Sequence, residues 1–315
     1  MITGREELKR AVRAAVRTTP AVDLGTRLTL KAVFTAPAHG VDALLTTPAL
    51  LGEAAYYGDD PRLGAPELSA RADAVFERLF LQRSPISFQA QAALWSLKRL
   101  GLEAGARNLY TLRTDWATRS PDAHLLDALD MANLSQVAVR ADLFAENVQP
   151  LSLFDERLSL SLCLDALLDA ETAWPKLAAA GCHSEEAVRA WLSEMAQRLE
   201  VGSFCLTRPP QGRLITACAL PAAQSLGLPI VIDAPEDGLP PETPALLARI
   251  RREGFAFRPY VSAAATPEAL PGLWELARRA LAEALFEAYI PLLKAGWRLE
   301  MAEIENDVAQ WIGAK

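Results

Sequence analysis

Between Leu158 and Asp165 the chain alternates strictly: Leu158, Leu160, Leu162 and Leu164 are interleaved with Ser159, Ser161, Cys163 and Asp165. Successive side chains of an extended strand point to opposite faces, so this stretch separates an apolar environment from a small, polar one. In a closed parallel barrel the leucines face an outer layer of helices. The polar set then lines the interior and delivers Asp165 to the C-terminal rim.

The rest of the chain repeats the same grammar. Strand signals fall at Thr19–Leu28, Gly40–Thr47, Leu134–Arg140, Arg157–Leu168, Gly202–Thr207, Leu228–Asp233 and Phe255–Val261. Between them, apolar residues recur at helical spacing in Pro66–Phe80, Ser87–Leu100, Ala170–Ala180, Ser184–Leu199, Ala219–Leu226 and Pro244–Glu253, after an opening helix at Glu6–Arg17. About seven strands alternating with helices predict an α/β fold built on a parallel sheet. Two helices follow the second strand signal, a larger excursion than a minimal crossover. After Ala265 the pattern is helical to the end, closing with Glu300–Ile312, where Met301, Ile304, Val308 and Trp311 share a face. No eighth strand is evident. The expectation is a single barrel-like domain over 1–315, with an excursion at 52–130 and a helical segment at 266–315.

The 32 basic and 39 acidic residues give a net charge of −7, without a Lys/Arg tract, which argues against nucleic acid as a partner. No apolar run approaches the roughly 18 to 20 residues that span a bilayer, and the charged start lacks a signal-peptide core. A cytoplasmic protein without a membrane role is expected. The cysteines Cys163, Cys182, Cys205 and Cys218 form no CxxC pair and read as buried free thiols. His39, His124 and His183 lie more than 50 residues apart, so they supply no His-rich metal centre and read as surface or capping residues. Trp116, in an Asp-Trp-Ala stretch, reads as a loop residue.

Four stretches carry a resemblance. They are Val22-Asp23-Leu24-Gly25-Thr26-Arg27-Leu28, Leu44 to Glu53, Asp155-Glu156-Arg157 through Leu168, and Gly296-Trp297 through Ile304, Asp307 and Val308. In order, they resemble the DxHxHL, LTYHYLxxE, DxRF…LRIDPLL and GWxxxxxxIxxDV elements of the glucuronate (uronate) isomerase-like branch of the amidohydrolase superfamily. The resemblance implies a TIM-barrel-like (β/α) metal-dependent hydrolase fold, here incomplete or distorted. It also implies where the metal ligands would stand. Gly25 and Arg27 occupy the HxH positions, Pro48 stands for a further histidine and Cys163 for an arginine; the late HxDxR-like segment has no counterpart. Glycine offers no donor atom and a guanidinium offers only N–H donors, so no metal or other cofactor is expected.

The functional expectation is a non-catalytic, metal-free relative acting as a partner or regulatory subunit, with its own copies or with an intact paralogue. The alternative is a metal-independent isomerase, hydrolase or binding protein for a small sugar acid. In that case Arg27, Arg140, Asp165, Asp233 and Arg258 form the rim, with the arginines gripping a carboxylate and Asp165 or Asp233 shuttling a proton. Against it stands the possibility that these charges pair with one another and fill the space a metal would need.

Overall fold

The computed structural model describes residues 2–34, 40–119, 124–145, 148–232, 243–255, 259 and 263–313. The elements are α1 (Arg5–Thr18), β1 (Ala21–Asp23), α2 (Leu30–Phe34), α3 (Val41–Leu45), α4 (Pro48–Tyr56), α5 (Leu68–Phe76), α6 (Phe88–Arg99), α7 (Leu109–Ala117) and α8 (His124–Ala132). They continue with β2 (Leu134–Asp142), β3 (Leu158–Cys163), α9 (Ala170–Ala179), α10 (Glu185–Arg198), β4 (Val201–Leu206), α11 (Leu220–Leu226), β5 (Ile230–Ile232), α12 (Thr243–Glu253), α13 (Leu270–Lys294) and α14 (Met301–Ile312). None of the described helices is long and apolar enough to cross a membrane.

The sheet has five strands among the described residues, in the order β1-β2-β3-β4-β5, rather than the seven expected. One of the two differences has a physical source. The stretch Gly40–Thr47 is not a strand. Gly40, at φ +123°, starts the short helix α3, and Thr47 caps α4 through a hydrogen bond to its hydroxyl from Leu50 N, with Pro48 at the first helical position. A Thr-Pro pair that looked like the close of a strand is an N-cap followed by the one residue that loses nothing there. The signal at Phe255–Val261 falls almost wholly outside the described residues. The helical excursion therefore follows β1, not a second strand.

β1 is also shorter than expected. The Asp23 carboxylate accepts a hydrogen bond from Gly25 N at 3.0 Å, a local turn that takes the chain out of strand geometry. It returns only at Thr29, which bridges to Arg140 in parallel sense. Gly25 and Arg27 thus sit on a turn rather than inside a strand.

The chain divides into two compact units. One comprises 1–22, 32–135 and 239–315, and its centre is the 25-residue helix α13, packed against α1, α6, α8 and α12. Gly272 brings α13 within touching distance of α6: a Cβ there would stand 1.8 Å from Ala92 O, and its N–H donates to Ser96 Oγ at 2.9 Å. Arg278, on the same helix, is 9% exposed. Its guanidinium donates to Val16 O, Thr19 O, Ala132 O and Asn133 O, tying together the C-terminal ends of α1 and α8. These are carbonyls that a helix end leaves without intrahelical partners, and a cation there also suits the helix dipole. On α14, Ile304, Val308 and Trp311 are buried as the periodicity required, while Met301 is not.

The second unit, 23–31 and 136–238, carries β2 to β5, all paired in parallel. Val137, Val139, Leu158, Leu160, Leu162 and Phe204 form its buried apolar side. Ser159, Ser161 and Ser203, on the other side, are also buried, as expected of a parallel sheet covered on both faces.

Candidate functional site

The polar side of the second unit is assembled by register. Arg140 stands beside Ser161 and Ser161 beside Ser203; one step on, Asp142 stands beside Cys163 and Cys163 beside Cys205. This alignment depends on one extra residue in β4. Leu160 opposes Val201 whereas Ser161 opposes Ser203, so Gly202 is bulged out of the pairing. Without the bulge Cys163 would face Phe204, and the Ser203 hydroxyl and Cys205 thiol would turn to the apolar side. A Cβ on Gly202 would lie 1.9 Å from Ser159 Oγ, which explains glycine at this point.

The groups so gathered are bonded to one another and to backbone. Ser203 Oγ donates to Ser161 Oγ at 2.9 Å. Arg140 donates from its backbone N to Leu28 O at 2.6 Å and from Nε to Thr26 O at 2.7 Å. The Thr26 hydroxyl donates in turn to Ala138 O. Asp165 begins a 3-10 turn directly after β3, and its Oδ1 accepts from Thr207 N at 2.8 Å. The turn that bears Gly25 and Arg27 is therefore stitched to β2.

Cys163 and Cys205 stand side by side as cross-strand neighbours on β3 and β4. The Cys163 sulfhydryl holds the Cys205 thiol below its ordinary pKa; burial opposes this, while the Ser161 hydroxyl and the Arg140 guanidinium reinforce it. Cys163, beside Cys205 and partly buried, is pushed well above the ordinary thiol range. Cys205 is 1% exposed, so the more acidic thiol is the less accessible one. Cys182 and Cys218 are buried as expected, whereas Cys163 is only partly so.

Of the residues singled out from the sequence, Arg140, Asp165 and the Arg27 turn lie at the C-terminal ends of β1 to β3, and the Arg140 and Asp165 charges both act on Cys205. Asp233 and Arg258 lie outside the described residues, as does His39. Sequence reasoning missed Ser203, Cys205 and Thr207. The signal was present: Ser203 and Cys205 alternate with Phe204 and Leu206, the same pattern that marked β3. His124 is not a surface residue but 8% exposed, against Trp116 with ring centroids 4.6 Å apart, and Trp116 belongs to α7 rather than a loop.

The uronate isomerase resemblance implies a metal, with two of its ligands at the positions of Gly25 and Arg27, and neither side chain offers a lone-pair donor. Among the described residues no three His, Cys, Asp or Glu side chains group closely enough to hold an ion.

No protein-family model and no curated protein matches the chain. Among solved structures, a crystal structure of a uronate isomerase from Bacillus halodurans matches with a TM-score of 0.86, over 99% of this chain and 96% of that one, at 24% sequence identity. The chain has the uronate isomerase fold. A fold carries no reaction by itself, so activity has to be argued from the site. In a parallel barrel that site is the C-terminal strand face, where Arg140, Cys163, Cys205 and Asp165 stand in this version of the uronate isomerase fold.

Proposed function

We propose that this chain is a metal-free, non-catalytic relative of uronate isomerases that works as a partner subunit. The observation that carries the reading is the internal bonding of the strand-end polar groups. The Arg140 guanidinium donates from Nε to Thr26 O, Asp165 accepts from Thr207 N, and Ser203 donates to Ser161. A catalytic group must be able to redirect its proton or charge to a substrate, and each of these is oriented toward its own backbone or neighbour instead. Replacement of metal donors by Gly25 and Arg27 also removes the Lewis acid that such a site would use.

The subunit role is supported by apolar exposure within the helical excursion. Tyr56 is 85% exposed and Ile86 79%, and the Glu53–Ser87 hydrogen bond at 2.6 Å holds their two segments together. Tyr57 lies next to Tyr56 with Arg83 stacked on its ring, giving a patch with aromatic and arginine content typical of interface centres. The partner is a second copy or an intact paralogue.

A second reading, a binder of small sugar acids, is favoured by the partial exposure of Arg27, Arg140 and Asp165 at the rim. The two separate experimentally. The subunit reading predicts no interconversion of hexuronates with zinc or manganese supplied, and sedimentation as a dimer or larger that Tyr56→Asp with Ile86→Asp reduces to monomer. Turnover of a hexuronate, or a monomer at every concentration both alone and with an intact paralogue, overturns it. Thermal stabilisation by hexuronates that Arg27→Ala abolishes would install the second reading in its place.

A further inference from the structure

α1 buries Leu8, Val12, Ala15 and Val16, and its exposed flank beside α13 carries positive charge out of keeping with the rest of the chain. The two helices run antiparallel, since Arg5 approaches Glu287 while Arg278 reaches Val16 O. Between them lies a cavity of about 620 Å³ lined by Lys9, Arg10, Arg13, Arg17, Arg278 and Arg279, against two acids, Glu275 and Glu283. Six cations converge here in a chain whose net charge is −7.

The pairing pattern shows which of these charges are available. Glu275 accepts from Arg99 and Arg279. Burial alone would raise its carboxyl, but these two guanidiniums outweigh it and hold the group below its ordinary pKa, so it stays an occupied anion. Arg278 spends its donors on four backbone carbonyls. Arg10, Arg13 and Arg17 make no ion pair or side-chain hydrogen bond among the described residues, and all three are exposed. On an α-helix these positions lie within about 60° of one another and span roughly 10 Å along the axis. Glu6 stands four residues before Arg10, but Arg13 and Arg17 are four apart with no acid at i±4 of either, a like-charge spacing that costs helix stability and that faces a cavity.

We propose that this cavity binds a small ligand carrying two or more linked phosphoryl groups. Guanidinium is the side chain best matched to phosphate, through two parallel N–H donors per anion, and a row roughly 10 Å long offers such forks to successive phosphoryl groups. The volume lies in the range of small-molecule sites, about 300–1,000 Å³. A long polyanion fits less well. Exposed Glu6 and Glu7 stand at the start of α1, and Glu283 and Glu287 flank the row on α13, so acids bound the positive region and would repel a strand running past it. The site is independent of the strand-end face and of the subunit reading.

The test is calorimetric titration of the full chain with inorganic pyrophosphate, tripolyphosphate and inorganic phosphate at constant ionic strength, with ATP as a further arm. Pyrophosphate is expected to bind at one site per chain, at least tenfold more tightly than phosphate. Arg13→Ala with Arg17→Ala should weaken it at least tenfold without shifting the melting temperature of the ligand-free protein. Arg17→Glu provides a second variant should the first unfold. ATP binding more tightly than tripolyphosphate would assign the phosphoryl groups to a nucleotide; equal binding would assign them to free polyphosphate, and both sustain the proposal. Pyrophosphate binding no tighter than phosphate, affinity unchanged in the folded variants, or a single-stranded oligonucleotide that pyrophosphate does not displace would overturn it.

Discussion

Replacing Arg278 with methionine should destabilise the helical unit, by an amount that follows from its hydrogen bonds. The guanidinium donates to Val16 O, Thr19 O, Ala132 O and Asn133 O, the last three at 3.0, 3.3 and 2.9 Å. Asn133 O keeps its bond from Ala21 N, so three carbonyls lose their donor. A buried acceptor left without a donor costs about 1–3 kcal/mol, so three at about 1.5 give roughly 4.5 kcal/mol. Methionine removes the burial cost of the cation in return. Burial pulls the Arg278 pKa down to about 10, which corresponds to roughly 3 kcal/mol. The net expectation is a loss of about 1.5 kcal/mol, read as a fall in the urea midpoint near neutral pH and a drop in melting temperature of roughly 3–6 °C. Arg278→Lys keeps the charge but cannot span two helix ends with one rigid fork, so it should recover less than half of the loss. A loss under about 1 kcal/mol for methionine would mean that water replaces the guanidinium at those carbonyls, and the clamp would not be what holds α1 to α8.

Gly202→Ala should cost about 1–3 kcal/mol, because its Cβ would meet Ser159 Oγ at 1.9 Å, and Ser159→Ala should recover part of this in the double variant; strictly additive urea-unfolding losses would refute the close-approach account. Asp155 is held below its ordinary pKa by hydrogen bonds from Arg157, and Glu275 by Arg99 and Arg279 against burial. A carboxyl whose folded pKa is depressed adds stability above its unfolded pKa, near 4, and loses it as pH falls through the folded value. The urea midpoint should therefore fall below about pH 4, and Asp155→Asn should flatten that limb; identical acid profiles for the two proteins would refute the assignment.

The parts of this molecule legible in its sequence are those where burial enforces a period. The β3 alternation separated an apolar from a small polar side over Leu158–Cys163, although the strand ends there and Asp165 begins a 3-10 turn rather than continuing to Leu168. The α9, α10 and α14 boundaries followed from the same rule. Short segments failed instead. Val41–Leu45 has too few residues to show a helical period, and its apolar run is indistinguishable from a strand until the Thr47–Pro48 cap is recognised. Asp23 ends β1 through a turn that Val22 and Leu28 gave no reason to expect. The site was legible in Asp165 and Arg140, since both end or border strands. It was illegible in the Cys163–Cys205 pair, because that neighbourhood is created by a one-residue bulge at Gly202, and an inserted residue shifts cross-strand register without altering either strand's own pattern. The cationic cavity on α1 escaped notice because a net charge of −7 averages over it.

The most direct test of the account is the metal content of the untagged protein, measured by elemental analysis before and after incubation with zinc and manganese followed by gel filtration. A turn bearing Gly25 and Arg27 and a strand face bonded to itself predict less than about one-tenth of an ion per chain in both samples. A stoichiometry near one per chain would contradict the account and restore a metal centre to this version of the uronate isomerase fold.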